Sequence, residues 1–173
     1  IKDKEKAMKI GEKAKEHDIE VSIHAPYWVN LNSKEKKKTE SSKKRILKSA
    51  EIGHYISVGS GRKTRIIFHP GFYGRLTKDE EKNNKIKQRA FDNIKKAVKD
   101  MLEVVNKNKW NVELCPEIMG KVNVFGSIDE ISKLVDETGC GFCIDFAHIL
   151  ARYCRLDDDM FENLKNKFKH KKW

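Results

Sequence analysis

The sequence predicts an α/β fold on parallel strands, either an open doubly wound sheet or an arc of a (β/α) barrel. Three observations carry this expectation. Segments with apolar residues at helical spacing alternate with short β-rich runs, in the order αβαβαβαβα. Each connection between strands is long enough for the helical crossover that parallel neighbours need. The 173 residues suffice for one sizeable core, so residues 1–173 are expected to form a single domain.

Residues 3–17 place Ala7, Ile10, Gly11 and Ala14 at helical spacing among Lys and Glu, which reads as an amphipathic helix. "IEVSIH" is a first strand, near residues 19–24. The long segment after it predicts a helix with Ser33 as N-cap and Ile46, Ala50, Gly53 and Ile56 or Tyr55 as its apolar stripe, closed by Gly59 and Gly61. "RIIFHPG" supplies a second strand, near 65–69. From Thr77 to Asn106, Ile86, Ala90, Ile94, Val98, Leu102 and Val105 share one helical face.

A third strand is expected near 111–115, in "NVELCPE". "SIDEISKLVDETG" is a helix whose Ser127 and Glu130 have the capping-box spacing. "CGFCIDFAH" gives a fourth strand, near 141–145. Asp157 to Asp159 then form an acidic loop suited to the positive end of a helix dipole. That last helix runs from Met160 to Lys172, with Phe161, Leu164 and Phe168 as its buried stripe.

The formal charge of +11 favours polyanionic partners, because lysines and arginines that neutralise phosphates release counterions. A generally Lys-rich surface is the alternative. The runs Lys34 to Lys38 and Lys165 to Lys172 read first as solvated faces and second as phosphate contacts. No stretch approaches the roughly 18 apolar residues of a membrane span, and no signal-peptide core is seen at the amino terminus, so a cytoplasmic protein is expected. Because the chain opens at Ile1 inside a helical pattern, a natural preceding segment is also expected. Cys115, Cys140, Cys143 and Cys154 are expected to stay reduced. Cys140 and Cys143 form a C-x-x-C, but on a strand residues three apart point to opposite faces, and no second such pair exists.

Each predicted strand ends on a residue able to bind metal: His24, His69, Glu117, and Asp145 with His148. In parallel sheets the carboxyl ends of all strands lie on one edge, so these groups would converge although far apart in sequence. Together they offer the nitrogen and oxygen donors that Zn²⁺ accepts, with Mn²⁺ or Fe²⁺ as rivals. Tyr27 and Trp28 follow His24; ordinary packing is the first reading for Trp28, and stacking on or wedging between bases the second. Glu113 shares strand parity with Glu117 and is either its supporting partner or a solvated group. His17, His54 and His170 have no such setting.

The stretches "HAPYWVNL", "FHPG", the "PE" of "LCPEIMGK" and "IDFAH" resemble, in order and spacing, the metal-binding motifs of the endonuclease IV family of apurinic/apyrimidinic endonucleases. The resemblance runs from about Val21 to Arg152. It implies a (β/α)8 TIM barrel of the xylose-isomerase-like type, here a partial barrel with about four βα units. It also implies DNA repair by metal-dependent hydrolysis of double-stranded DNA at abasic sites. In that reading His24, His69 and Glu117 bind a first zinc, Glu117 and Asp145 a second and His148 a third, so that the complete protein holds up to three ions. Glu117 and Asp145 are its catalytic residues, and Tyr27 and Trp28 enter the DNA at the lesion.

The complete protein is expected to be a monomer without membrane contact, whereas the open sheet edges of a partial barrel allow self-association. Departures from the family pattern are a shorter loop, "IMGKVNVFG", and only four strands of about eight, which leaves the second and third metal sites short of ligands. The competing expectations are a divalent-metal sugar isomerase or epimerase on the same barrel, and a noncatalytic fragment.

Overall fold

Three parallel strands organise the molecule: β1 (Ser22–His24), β2 (Thr64–Phe68) and β3 (Val112–Pro116), paired in the order β1-β2-β3. The computed structural model describes residues 3–169. Around the strands run α1 (Lys4–Glu16), α2 (Lys36–Ser60), α3 (Glu80–Lys107), α4 (Ile128–Thr138), α5 (Phe146–Tyr153) and α6 (Asp158–Lys167). Among the described residues no helix is long and apolar enough to cross a membrane.

Strand alternation decides which face is covered. On β2, Thr64, Ile66 and Phe68 are buried, Arg65 is exposed and Ile67 is half-buried. The register aligns Ile23, Ile66 and Leu114 across the covered face. Helix α2 seats there through Gly53: a Cβ at that position would come within 2.6 Å of Ile66 Cδ1, so a larger residue would make the Ile66 side chain shift for the helix to lie this close to the sheet. The core continues outward through Ile46, Ala50, Ile94, Val98, Met101, Phe125, Ile131 and Leu134, all buried. Full burial of each of the larger side chains stabilises by about 1.5–3 kcal/mol.

The opposite face carries the rows Ser22–Arg65–Glu113 and His24–Ile67–Cys115. Arg65 there bonds Glu20 at 2.9 Å and reaches Glu113 at 3.8 Å. A doubly wound sheet has helices on both faces; among the described residues the helices pack on one face, the arrangement of an arc of a barrel with the second face turned to its interior.

Four local expectations are corrected by the structure. Residues 141–145 run parallel to β3 but form only an isolated bridge, Glu117↔Cys143, instead of a full strand. The Gly141 and Cys143 amides donate to the Leu114 and Pro116 carbonyls, but Pro116 has no N–H to return to Gly141 O, so the second bridge of a ladder does not form. The remainder of the predicted strand is the start of α5, because the Asp145 carboxylate caps a helix at Phe146. Ser33 does not cap α2; that helix begins after Glu35, and the Ser33 hydroxyl accepts the Glu35 N–H inside the preceding turn. In α6, Met160, Leu164 and Phe168 are buried, whereas Phe161 is partly exposed beside Phe146, their ring centroids 5.4 Å apart. Residues 170–172 of the predicted last helix lie outside the described residues, as does His170.

Other signals read as expected. Ser127 and Glu130 form a complete capping box, Asp157 caps α6 through the Met160 amide, and Gly61 ends α2 with positive φ, whereas Gly59, expected to close it too, lies inside the helix.

Candidate metal centre

Strand parity places the donors. On β2 the open face takes Arg65 and Ile67, so the next residue of that parity is His69; on β3 it takes Glu113 and Cys115, so the next is Glu117. The ladder extends by one bond past the strands, Glu117 N–H donating to Phe68 O at 3.0 Å, which carries this alternation to the rim. His24 is the last residue of β1 on the same face. One atom from each of His24, His69 and Glu117 lies within 4.8 Å of the others, and the same holds for Glu117, Asp145 and His148.

Glu117 is shared by both groups. It is 5% exposed, and its Oε2 is 2.9 Å from His69 Nε2 and 3.3 Å from His24 Nε2. Its Oε1 faces His148 Nδ1 at 3.8 Å. Burial alone would raise the Glu117 pKa, but hydrogen bonds and charge from His69 and His24 outweigh it and hold the carboxyl below its ordinary value. The group is therefore an anion at neutral pH.

The imidazole contacts test whether a cation fits. His24 Nδ1 lies 2.9 Å from the Ala25 carbonyl oxygen, an acceptor, so Nδ1 carries the proton and a neutral ring presents the Nε2 lone pair. That lone pair faces the Glu117 carboxylate, also an acceptor. Such a pair needs a positive species beside it, either an added proton or a metal ion. His148 differs: its Nδ1, the nitrogen that faces Glu117 and Asp145 at 3.8 Å, also lies 3.0 Å from Ile118 O, so a neutral ring has that nitrogen either bonded to the backbone or free for a cation. A backbone partner that fixes the tautomer, as at His24, is usual behind metal-binding imidazoles. The donor set therefore suits a divalent cation of the zinc type.

Asp145 has a divided role. Oδ1 accepts the His148 amide at 2.8 Å as the α5 cap, and Oδ2 lies 3.8 Å from His148 Nδ1. The geometry thus groups His148 with Glu117 and Asp145, whereas the family resemblance assigns it to a separate ion. Cys143 lies close by, but burial, with Glu117 and Asp145 adding, pushes its thiol up to about 12 and keeps it protonated. Glu113 lies 3.8 Å from Arg65 and belongs to neither group of donors. His17 ends α1, and His54 accepts the Asn111 amide, so neither joins the centre.

Tyr27 stands edge-on to His69 with ring centroids 5.1 Å apart, and Trp28 stands beyond it at 5.7 Å. Trp28 is 77% exposed, so core packing does not account for it. The loop bearing both is tied down by Arg45 to Trp28 O, Ser42 to the Asn30 amide, and the Leu31 amide to Pro70 O.

A cavity of about 570 Å³ opens beside His69 and His148, between the loops that follow β2 and β3. Its frame was missed by sequence reasoning. Arg152 donates to the carbonyls of Met119, Lys121 and Val124 at 3.0, 2.8 and 3.3 Å and reaches Tyr73 Oη at 3.4 Å. The Tyr73 hydroxyl is in turn 2.7 Å from both Glu130 oxygens. Arg152 is four residues past His148, a helical spacing that would have pointed to a common face had α5 been foreseen.

Residues 2–172 match the family described as xylose isomerase-like TIM barrel. An uncharacterized protein of Methanocaldococcus jannaschii is 42% identical over 144 residues, covering 82% of this chain and 47% of that protein. A probable endonuclease 4 of Ureaplasma urealyticum is 26% identical over 163 residues, covering 89% and 48%. Among solved structures, SacUVDE aligns with a TM-score of 0.66 at 18% identity, over 96% of this chain and 50% of that one. D-Psicose 3-epimerase aligns with a TM-score of 0.61 at 15% identity, over 95% and 54%. These two show the fold alone. The chain spans about half the length of the curated relatives it matches.

Proposed function

The chain belongs to the xylose isomerase-like TIM-barrel family, and from that premise we propose that it serves metal-dependent hydrolysis of the DNA backbone at abasic sites. The observation that carries this reading is one buried carboxylate, Glu117, shared by two groups of donors beside exposed aromatic side chains. His24 and His69 supply nitrogen donors to the first group, Asp145 and His148 complete the second, and Glu117 bridges them. Zinc suits these donors, with manganese or iron as rivals.

A divalent ion held there would lower the pKa of water and offset phosphate charge. The chain's own residues do the rest. Glu117 stays ionised and holds the two groups together, the Ala25 carbonyl orients the His24 imidazole, and Tyr27 and Trp28 present aromatic faces to the DNA beside the lesion. The net charge of +11 favours approach to a polyanion. The resemblance of "HAPYWVNL", "FHPG" and "IDFAH" to endonuclease IV motifs, and the relative named probable endonuclease 4, support the same reading. A DNA-repair enzyme of this kind works in the cytoplasm, as a monomer when the barrel is complete.

The test uses the full-length parent protein and duplexes with a single abasic analogue, with and without chelator. Nicking that chelation abolishes and zinc restores is expected. A zinc-loaded parent that leaves the duplex intact, or that isomerises a ketose instead, would overturn the proposal.

A further inference from the structure

At the rim two asparagine side chains stand where a neighbouring strand would. Asn30 Oδ1 accepts the Phe72 N–H at 3.3 Å, and Asn32 Nδ2 donates to Phe72 O at 2.8 Å, so the loop that bears Tyr27 and Trp28 takes up both backbone groups of Phe72. Asn32 Nδ2 also lies 3.3 Å from Tyr73 O, and Asn32 Oδ1 accepts from Asn93 Nδ2, on α3, at 2.8 Å. With carbonyls on one side and an amide donor on the other, one orientation of the Asn32 side chain bonds both. Gly71 lets the two loops come this close: a Cβ there would lie 2.5 Å from Asn30 Oδ1 and 3.1 Å from Leu31 N, at a φ of +137°. On its other side Phe72 bridges Val124, and the Phe125 amide donates to Gly71 O, so the loops after β1, β2 and β3 are laced together.

We propose that Asn32 is a positioning residue, which fixes Tyr27 and Trp28 over the metal centre by clamping their loop to the segment that follows His69. It rests on the abasic-site reading given above, and it gives Asn32 a part in DNA affinity and none in metal binding. The other ties do not set that position. Arg45 and Ser42 hold the loop to α2, the next element of the chain, and leave its height over His69 to the bonds with residues 70–73. Of those, the Leu31 N–H to Pro70 O bond is backbone alone, and Asn30 divides its oxygen between Phe72 and the Asn32 amide of its own loop. Asn32 reaches both the neighbouring loop and helix α3. Rings held in place before DNA arrives lose little freedom on binding, whereas a loose loop must be ordered at that moment, and the ordering lowers affinity. The Asn32 side chain bonds Phe72, Tyr73 and Asn93 and not the donors of the metal centre, so the two properties separate.

The test compares Asn32→Ala and Asn93→Ala in the zinc-loaded full-length parent protein, and repeats Asn32→Ala in a Tyr27→Ala/Trp28→Ala background. Asn32→Ala is expected to raise KM for a duplex with one abasic analogue by about fivefold or more, as loss of one hydrogen bond does, with kcat changed by less than about twofold and zinc uptake intact. Asn93→Ala, which removes the anchor and leaves the clamp, should move KM the same way by a smaller factor. In the background without the two rings, Asn32→Ala should change KM by less than about twofold, since its effect passes through them. The Leu31 and Phe72 amides should exchange their hydrogens at least about fivefold faster in Asn32→Ala than in the parent. An unchanged KM, an equal effect in the background without the rings, or loss of zinc would overturn the positioning role. A parent that leaves abasic duplexes intact would instead refute the functional reading, and the clamp would then stand or fall on the exchange rates.

Discussion

Replacing Arg152 by alanine removes the strut under the cavity, and the cost follows from its contacts. Nη1 has two hydrogens and three carbonyls within reach, so only the bonds to Lys121 O at 2.8 Å and Met119 O at 3.0 Å count in full. Bonds from a charged donor contribute about 1.5–3 kcal/mol each, less where water competes. Arg152 is only partly buried, so water takes over part of the lost bonding and the net loss should be about 2–3 kcal/mol. For a chain of this length that lowers Tm by about 5–10 °C. Urea unfolding gives the total, and amide hydrogen exchange shows where the loss falls. Exchange should quicken across residues 119–126, while zinc uptake stays close to the parental level because the bonds of Arg152 go to loop carbonyls and Tyr73 and not to the donors. Arg152→Lys keeps the charge but not the fork, and should recover less than half of the loss. Unchanged exchange in that loop, or a collapse of zinc affinity, would refute the strut.

His69→Ala should weaken zinc binding by at least about tenfold, whereas Tyr27→Ala should leave zinc bound and lower affinity for abasic duplexes; equal metal loss in both would contradict the division of labour. Ser127→Ala removes the hydroxyl half of the α4 capping box and should cost about 1 kcal/mol in urea unfolding. Burial would raise the Asp100 pKa, but Lys43 and Lys96 outweigh it and hold the carboxyl below its usual range, so its stabilising effect is present above the unfolded carboxylate pKa and fades as pH falls. Asp100→Asn should accordingly cost below about 1 kcal/mol at neutral pH, given its partial exposure, and nothing in acid. A penalty that persisted in acid would disprove the assignment.

What could be read from the sequence was whatever two-residue alternation and helical spacing control. Once "RIIF" and "VELC" are strands, parity and the end of the apolar run place His69 and Glu117 on one face at one edge. The capping box of Ser127 was equally plain, because both partners lie within one turn. The segment 141–145 misled because its bonds to β3 are real, while the bond that would complete a second bridge, from residue 116 to Gly141 O, is denied by a proline that has no N–H. Trp28 was misjudged because apolar composition says nothing about whether a loop turns its ring inward. Arg152, Tyr73 and the second task of Glu130, as acceptor for Tyr73, were invisible for a different reason: their value lies in contacts 28 to 79 residues apart along the chain, which no local pattern encodes.

Asp145 shows how a single residue can join fold and chemistry, and its substitutions separate the two. The spacing D-x-x-H puts the carboxylate at the helix start, where one oxygen takes the amide of the same histidine whose ring sits with Glu117. The cap therefore holds the backbone of the histidine proposed as a ligand. Asparagine caps about as well as aspartate, whereas alanine does not, at a cost of about 0.5–2 kcal/mol. Asp145→Asn should thus match the parent in urea unfolding but bind a second equivalent of zinc more weakly, having lost its charge. Asp145→Ala should lose both. If asparagine destabilised the chain as much as alanine, the charge of Asp145 would be serving the fold, and its place in the metal centre would have to be given up.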